Sequence, residues 1–190
     1  MMPEKLSEED RAYLLKLARK AIEAAVQGEN LPEIDWKTIS PALHENGASF
    51  VTLTEEGGLR GCIGALEAYQ PLAEDVREHA VAAALEDYRF YPVRSSELSR
   101  LEIEISRLTA PVDLPYEKPE DLPHQLRPGV DGVILMDGRR RATFLPQVWE
   151  KVPNPEEFLS ELCLKMGAPE DLWRKKMLTV RIYQVEEFHE

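Results

Sequence analysis

Cysteine is scarce in this chain, histidine is scattered, positive charge is in deficit and no long apolar run exists; each lack removes a class of function. Cys62 and Cys163 stand too far apart to suggest a disulfide framework or a CxxC metal pair. His44, His79, His124 and His189 are dispersed without an HExxH or similar spacing, so no metal site is predicted. The longest uninterrupted apolar run, Ala80 to Leu85, is far too short to span a membrane. Met1-Met2-Pro3-Glu4 leads straight into an acidic helix, which predicts no secretory signal and a cytoplasmic protein. A net charge of −12 argues against general affinity for nucleic acid or anionic membrane. The one basic run, Arg139-Arg140-Arg141, reads as a solvated hairpin edge. No residue pattern names a cofactor.

What is present centres on Leu59-Arg60-Gly61-Cys62-Ile63-Gly64. The stretch follows an alternating run, Ser49 to Thr54, and the turn signal Glu55-Glu56-Gly57-Gly58, so a β-hairpin is predicted with these six residues on its second strand. Alternation puts Arg60, Cys62 and Gly64 on one face and Leu59, Gly61 and Ile63 on the other. A thiol beside a cation can be a nucleophile, because positive charge favours the thiolate. On this reading Cys62 is catalytic, His44 is a candidate base, and Gly61 and Gly64 leave bare backbone for a substrate to approach. The other reading makes Cys62 a small buried hydrophobe.

The flanking chain reads as α+β. Ser7 resembles a helix cap, Leu14, Leu17, Ala18, Ile22 and Ala25 repeat at helical spacing, and Gly28 can end that helix. Residues 29–47 are irregular, with Trp36 and Ile39 expected to pin them to the core. A helix starts at Pro71 and ends near Asp87, where Arg89 is either an anion ligand or the partner of Asp87. Leu101 to Ile105 alternates as a strand whose wet face carries Glu102 and Glu104. Pro111 to Pro128 reads as a long loop, and Gly132–Met136 with Arg141–Leu145 as a second hairpin. A helix after Asn154 carries Cys163 on its apolar stripe, and Leu178 to Val185 forms a final strand. No repeat or flexible linker divides the chain, which predicts a single domain with a mostly antiparallel sheet flanked by helices.

The Leu59–Gly64 motif resembles the signature of the AMMECR family, whose bacterial and archaeal members are called AmmeMemoRadiSam system protein A. Ala84-Leu-Glu-Asp-Tyr-Arg-Phe-Tyr-Pro-Val93, Leu101–Ser106 with Leu108–Pro111, Gly132–Leu135, Thr143–Trp149 and Leu162–Gly167 resemble further family blocks in the expected order. Tyr88 departs from the family, standing where proline is usual, so the local turn is expected to differ. The resemblance implies a larger lobe joining both chain ends, a smaller lobe from the middle segments, and a cleft between them. It also implies association with Memo-type and radical-SAM proteins; lacking a CxxxCxxC run, this chain would leave any radical chemistry to a partner. Two functions follow as expectations. One is a small enzyme using Cys62 on an anionic substrate held by Arg60, Asp87 and Arg89. The other is a non-catalytic binding or scaffold module presenting the motif to a protein or small ligand.

Overall fold

The structure is a computed structural model that describes residues 5–190; the expectation drawn from Met1 to Glu4 falls outside the described residues. The first compact unit spans residues up to Ala110 and takes back Glu186–Glu190, and the second spans Pro111–Val185. In chain order the first unit contains α1 (Glu8–Gln27), α2 (Pro41–His44), β1 (Asn46–Glu55), β2 (Gly58–Gly64), β3 (Gln70–Pro71), α3 (Leu72–Leu85) and β4 (Leu101–Leu108). The second contains β5 (Val112–Asp113), α4 (Leu122–Gln125), β6 (Gly132–Asp137), β7 (Arg140–Phe144), α5 (Pro155–Lys165), α6 (Leu172–Lys175) and β8 (Thr179–Tyr183). The chain then returns to the first unit as β9 (Val185–His189). The fold is α+β, with antiparallel pairing between β1 and β2, β1 and β4, β5 and β8, and β6 with both β7 and β8.

Local chemistry accounts for α1. Ser7 Oγ accepts the Asp10 N–H at 3.1 Å, three acidic residues sit at the positive end, and Gly28 closes the helix at φ 73°. Its apolar stripe, Leu14, Leu17, Ala18 and Ile22, packs with Val76, Ala80 and Ala83 of α3 on the inner face of the sheet β2-β1-β4-β9. Val51, Leu53, Ile103 and Ile105 supply that face, each at most 1% exposed. Ile39 joins this core as expected, but Trp36 does not; it is 39% exposed, and its ring lies 5.3 Å from that of His44.

Three expectations need correction. The first hairpin turns on Glu56 and Gly57, both with positive φ, and Gly58 is the first residue of β2; the two-residue turn uses only one of the paired glycines. The stretch 111–128 is not plain loop, since it holds β5 and α4 and buries Leu122 and Leu126 in the second core. Leu178–Val185 is not one strand. It divides at Gln184, β8 lying between β5 and β6 in the sheet β5-β8-β6-β7 and β9 joining the first sheet beside β4. The second core gathers Val133, Leu135, Phe158, Leu159, Leu162 and Trp173, with Trp149 stacked on Phe158 at 3.7 Å between ring centroids.

Candidate functional site

The motif lies on β2, an edge strand of the first sheet. The register pairs Phe50 with Gly64, Thr52 with Cys62 and Leu53 with Gly61, then slips so that Thr54 faces Leu59. Arg60 is the extra residue of a β-bulge, and the simple alternation expected from sequence breaks there. Leu59 therefore shares a face with Cys62, while Gly61 and Ile63 face α3.

The glycines are explained by packing, not by room for a substrate. A Cβ on Gly61 would overlap the Ala83 carbonyl oxygen of α3. A Cβ on Gly64 would overlap the Ser49 carbonyl and the Phe50 side chain. Backbone approaches backbone at both positions, a contact only glycine permits.

Cys62 is half-buried, and its Sγ lies 3.2 Å from Thr52 Oγ1. The charged groups nearby act elsewhere. Arg60 donates through Nε and Nη2 to the two carboxylate oxygens of Glu97 at 2.8 and 3.3 Å, so its charge is already paired. Asp87 Oδ2 accepts the Cys62 backbone N–H at 2.9 Å, and Arg89 Nη2 donates to the Cys62 carbonyl at 3.3 Å. Arg89 also grips Asp87, through Nε to Oδ1 at 2.9 Å and Nη2 to Oδ2 at 2.7 Å. An edge strand leaves alternate N–H and C=O groups without a strand partner, and for Cys62 this ion pair takes both. The Arg89 guanidinium, joined by the N–H groups of Cys62 and Arg89, overcomes the desolvation of Asp87 and holds its carboxyl well below the usual carboxylate range. A depressed carboxyl favours the folded state above the ordinary carboxylate pKa and loses that contribution as pH falls through its own lower value, so the clamp is intact at neutral pH.

His44 is not brought to the thiol. It ends α2, just before Asn46, and from Asn46 to Thr52 the strand advances about 20 Å. Cys163 is fully buried on α5, where burial pushes its thiol up; both cysteines are free.

Sequence reasoning missed a polar cluster beneath the sheet's inner face. Ser49 Oγ donates to Asp75 Oδ2 at 2.7 Å, His79 Nδ1 lies 3.1 Å from the same oxygen, and Gln70 Nε2 reaches Oδ1 at 3.4 Å. The carboxylate sits between hydroxyl and imidazole, so the imidazole cannot act as base toward the serine. Ser49 and Asp75 are fully buried, which makes the cluster a tie between β1 and α3. The i,i+4 spacing of Asp75 and His79 was its only signal in the sequence. Among the described residues no group of three or more His, Cys, Asp or Glu is placed to hold a metal, and no helix is long and apolar enough to cross a membrane.

The AMMECR1 sequence profile matches residues 15–188. The chain belongs to the AMMECR1 family. Relatives within reach of this assignment include a protein of Thermofilum pendens, 40% identical over 98% of this chain and 92% of its own length. A protein of Methanothermobacter thermautotrophicus is 40% identical over 97% of this chain and 96% of its own. The crystal structure of protein PH0010 from Pyrococcus horikoshii, 35% identical, superposes with a TM-score of 0.85 over 98% of this chain and 94% of that one. The resemblance to this family is thereby shown for the chain as a whole.

Proposed function

We propose that this AMMECR1-family protein is a non-catalytic binding module that presents the edge of β2 and the adjoining segment 86–92 to a protein partner. One observation carries the reading: the ion pair Asp87–Arg89 is spent on the backbone of Cys62 and not on its sulfur. The clamp brackets Tyr88 in a turn closed by the Phe90 N–H on the Asp87 carbonyl, and Tyr91 follows directly after it; the two side chains are 95% and 85% exposed. Leu59, on the same strand as Cys62, is 46% exposed. Aromatic side chains held on rigid backbone suit a protein interface, because they bury large area at little entropic cost. The association with Memo-type and radical-SAM proteins belongs to this proposal, those proteins being the partners.

A catalytic reading retains one observation in its favour. Thr52, in contact with Cys62, also lines a small cavity of about 90 Å³ with Thr54, Glu102, Glu104 and His189.

Calorimetric titration against the Memo-type and radical-SAM proteins of the same genome tests the proposal. The expected result is saturable binding to at least one, weakened about tenfold or more by Tyr88→Ser with Tyr91→Ser and unchanged by Cys62→Ser. Absence of binding to both overturns the partner assignment. Undiminished binding by the tyrosine variant, or its loss in Cys62→Ser, overturns the surface.

A further inference from the structure

We propose that the tip of the β6–β7 hairpin and the C-terminal end of α5 form a docking surface for an acidic segment of a protein partner. The chain's charge is unevenly divided. In the second unit Lys and Arg nearly balance Asp and Glu, so almost all of the net −12 belongs to the first. Within the second unit a group of cations gathers at one end of the sheet. Arg139 stands in the hairpin turn and Arg140 opens β7. Arg140 Nη1 donates to the Gly167 carbonyl, just past α5, at 3.4 Å, and Lys165 Nζ donates to the Thr143 carbonyl of β7 at 2.8 Å. These two bonds draw the end of the helix onto the hairpin.

No carboxylate neutralises the group. Arg60, Arg89, Arg127 and Arg174 each face an acidic side chain, whereas Arg140 and Lys165 meet carbonyl groups, which leave the full positive charge in place. Arg139 is exposed and has no ion pair among the described residues. Asp137, the carboxylate of the hairpin itself, is held by Lys176 at 2.7 Å. Glu161, one turn before Lys165 on α5, makes no ion pair among the described residues. Apolar side chains border the charge: Leu164 beside Lys165 is 50% exposed, and Met177 beside Lys176 is 46% exposed. Arginine and methionine together are the composition of a protein interface. A single-stranded nucleic acid asks for aromatic rings to stack on, and the exposed aromatic residues, Trp36, Tyr69, Tyr88 and Tyr91, all belong to the first unit. A long polyanion would also overrun so small a patch and meet the repulsion of a chain at −12. A short acidic segment meets the cations alone.

The surface shares no residue with the β2 edge or segment 86–92, so its test stands apart from that of the proposed function. A short amidated peptide of glutamate and leucine is titrated into the ¹⁵N-labelled full chain while the Gly138 and Gly167 amide resonances are followed. Its lysine-and-leucine counterpart and an oligothymidylate are the comparison probes. The expected result is a saturable shift with the acidic peptide, none with the lysine peptide, and an affinity that falls as salt rises. Arg139→Glu with Arg140→Glu is expected to weaken binding about tenfold or more. Lys20→Glu with Lys151→Glu makes the same change in net charge elsewhere, on α1 and just after Trp149, whose indole is held to the Asp131 carbonyl at the opposite end of β6. That pair should change the affinity by less than about twofold. No saturable shift, an equal response to the lysine peptide, or equal weakening by the two double variants overturns the surface. An oligothymidylate that binds as tightly as the acidic peptide overturns its assignment to a protein segment.

Discussion

Gly61→Ala is expected to unfold the first unit or to cost at least about 3 kcal/mol, because the new methyl group would meet a carbonyl oxygen of α3 and not a yielding side chain. Either β2 must leave its register with β1, or α3 must lift from a face where Ala80 and Ala83 are buried to within 1%. Interior packing leaves no slack for either movement. Gly58→Ala is the internal control. A Cβ there would sit 3.5 Å from the Glu55 carbonyl, an ordinary contact, and the change should stay within about 0.5 kcal/mol. Urea denaturation of the two variants reads the difference directly. A Gly61→Ala midpoint equal to the parent's would show that the glycine is not demanded by packing, and would return it to the role of leaving space for a ligand.

Asp75→Ala carries the second large expected effect. The substitution takes the shared carboxylate acceptor away from the buried Ser49 hydroxyl and the His79 imidazole. Leaving buried polar partners unsatisfied costs about 3 kcal/mol in total, whereas Ser49→Ala removes one donor from a carboxylate that keeps His79 and Gln70, at about 1 kcal/mol. The order of the two effects is the point of the test. Should Asp75→Ala prove milder than Ser49→Ala, the carboxylate is not the centre of the tie between strand and helix.

Local signals made part of this structure legible. The Ser7 cap, the 3.6-residue stripe of α1 and the Gly28 stop act within a few residues of one another, and the helix forms between them. The same holds for the hairpin of β1 and β2 and for Cys163 on the buried stripe of α5. Features decided by distant partners were not legible. The run from Leu178 to Val185 holds no turn residue, yet the chain changes sheets at Gln184, because the residues paired with β8 and those beside β9 lie in different units; the one local trace is a shift of the apolar phase from Leu178, Val180 and Ile182 to Tyr183 and Val185. Arg60 looked like a cation for the thiol because alternation placed it on the face of Cys62; the bulge and Glu97, far along the chain, redirect it. The sequence displays Gly61 but not the Ala83 carbonyl that requires it. Asp87 and Arg89 were legible as a pair, and their target, the Cys62 peptide, was not.

The most direct test of the claim that these charges hold backbone and do not activate sulfur is brief alkylation of the native protein with iodoacetamide near neutral pH, read by mass spectrometry. Cys62 should label no faster than an ordinary exposed thiol. Cys163 should stay unlabelled until the protein is denatured. Arg60→Ala should change the Cys62 rate by less than about twofold, since Glu97 already pairs with that guanidinium. A Cys62 rate about tenfold or more above an ordinary thiol, slowed by Arg60→Ala, would contradict the account and make the motif a reactive centre.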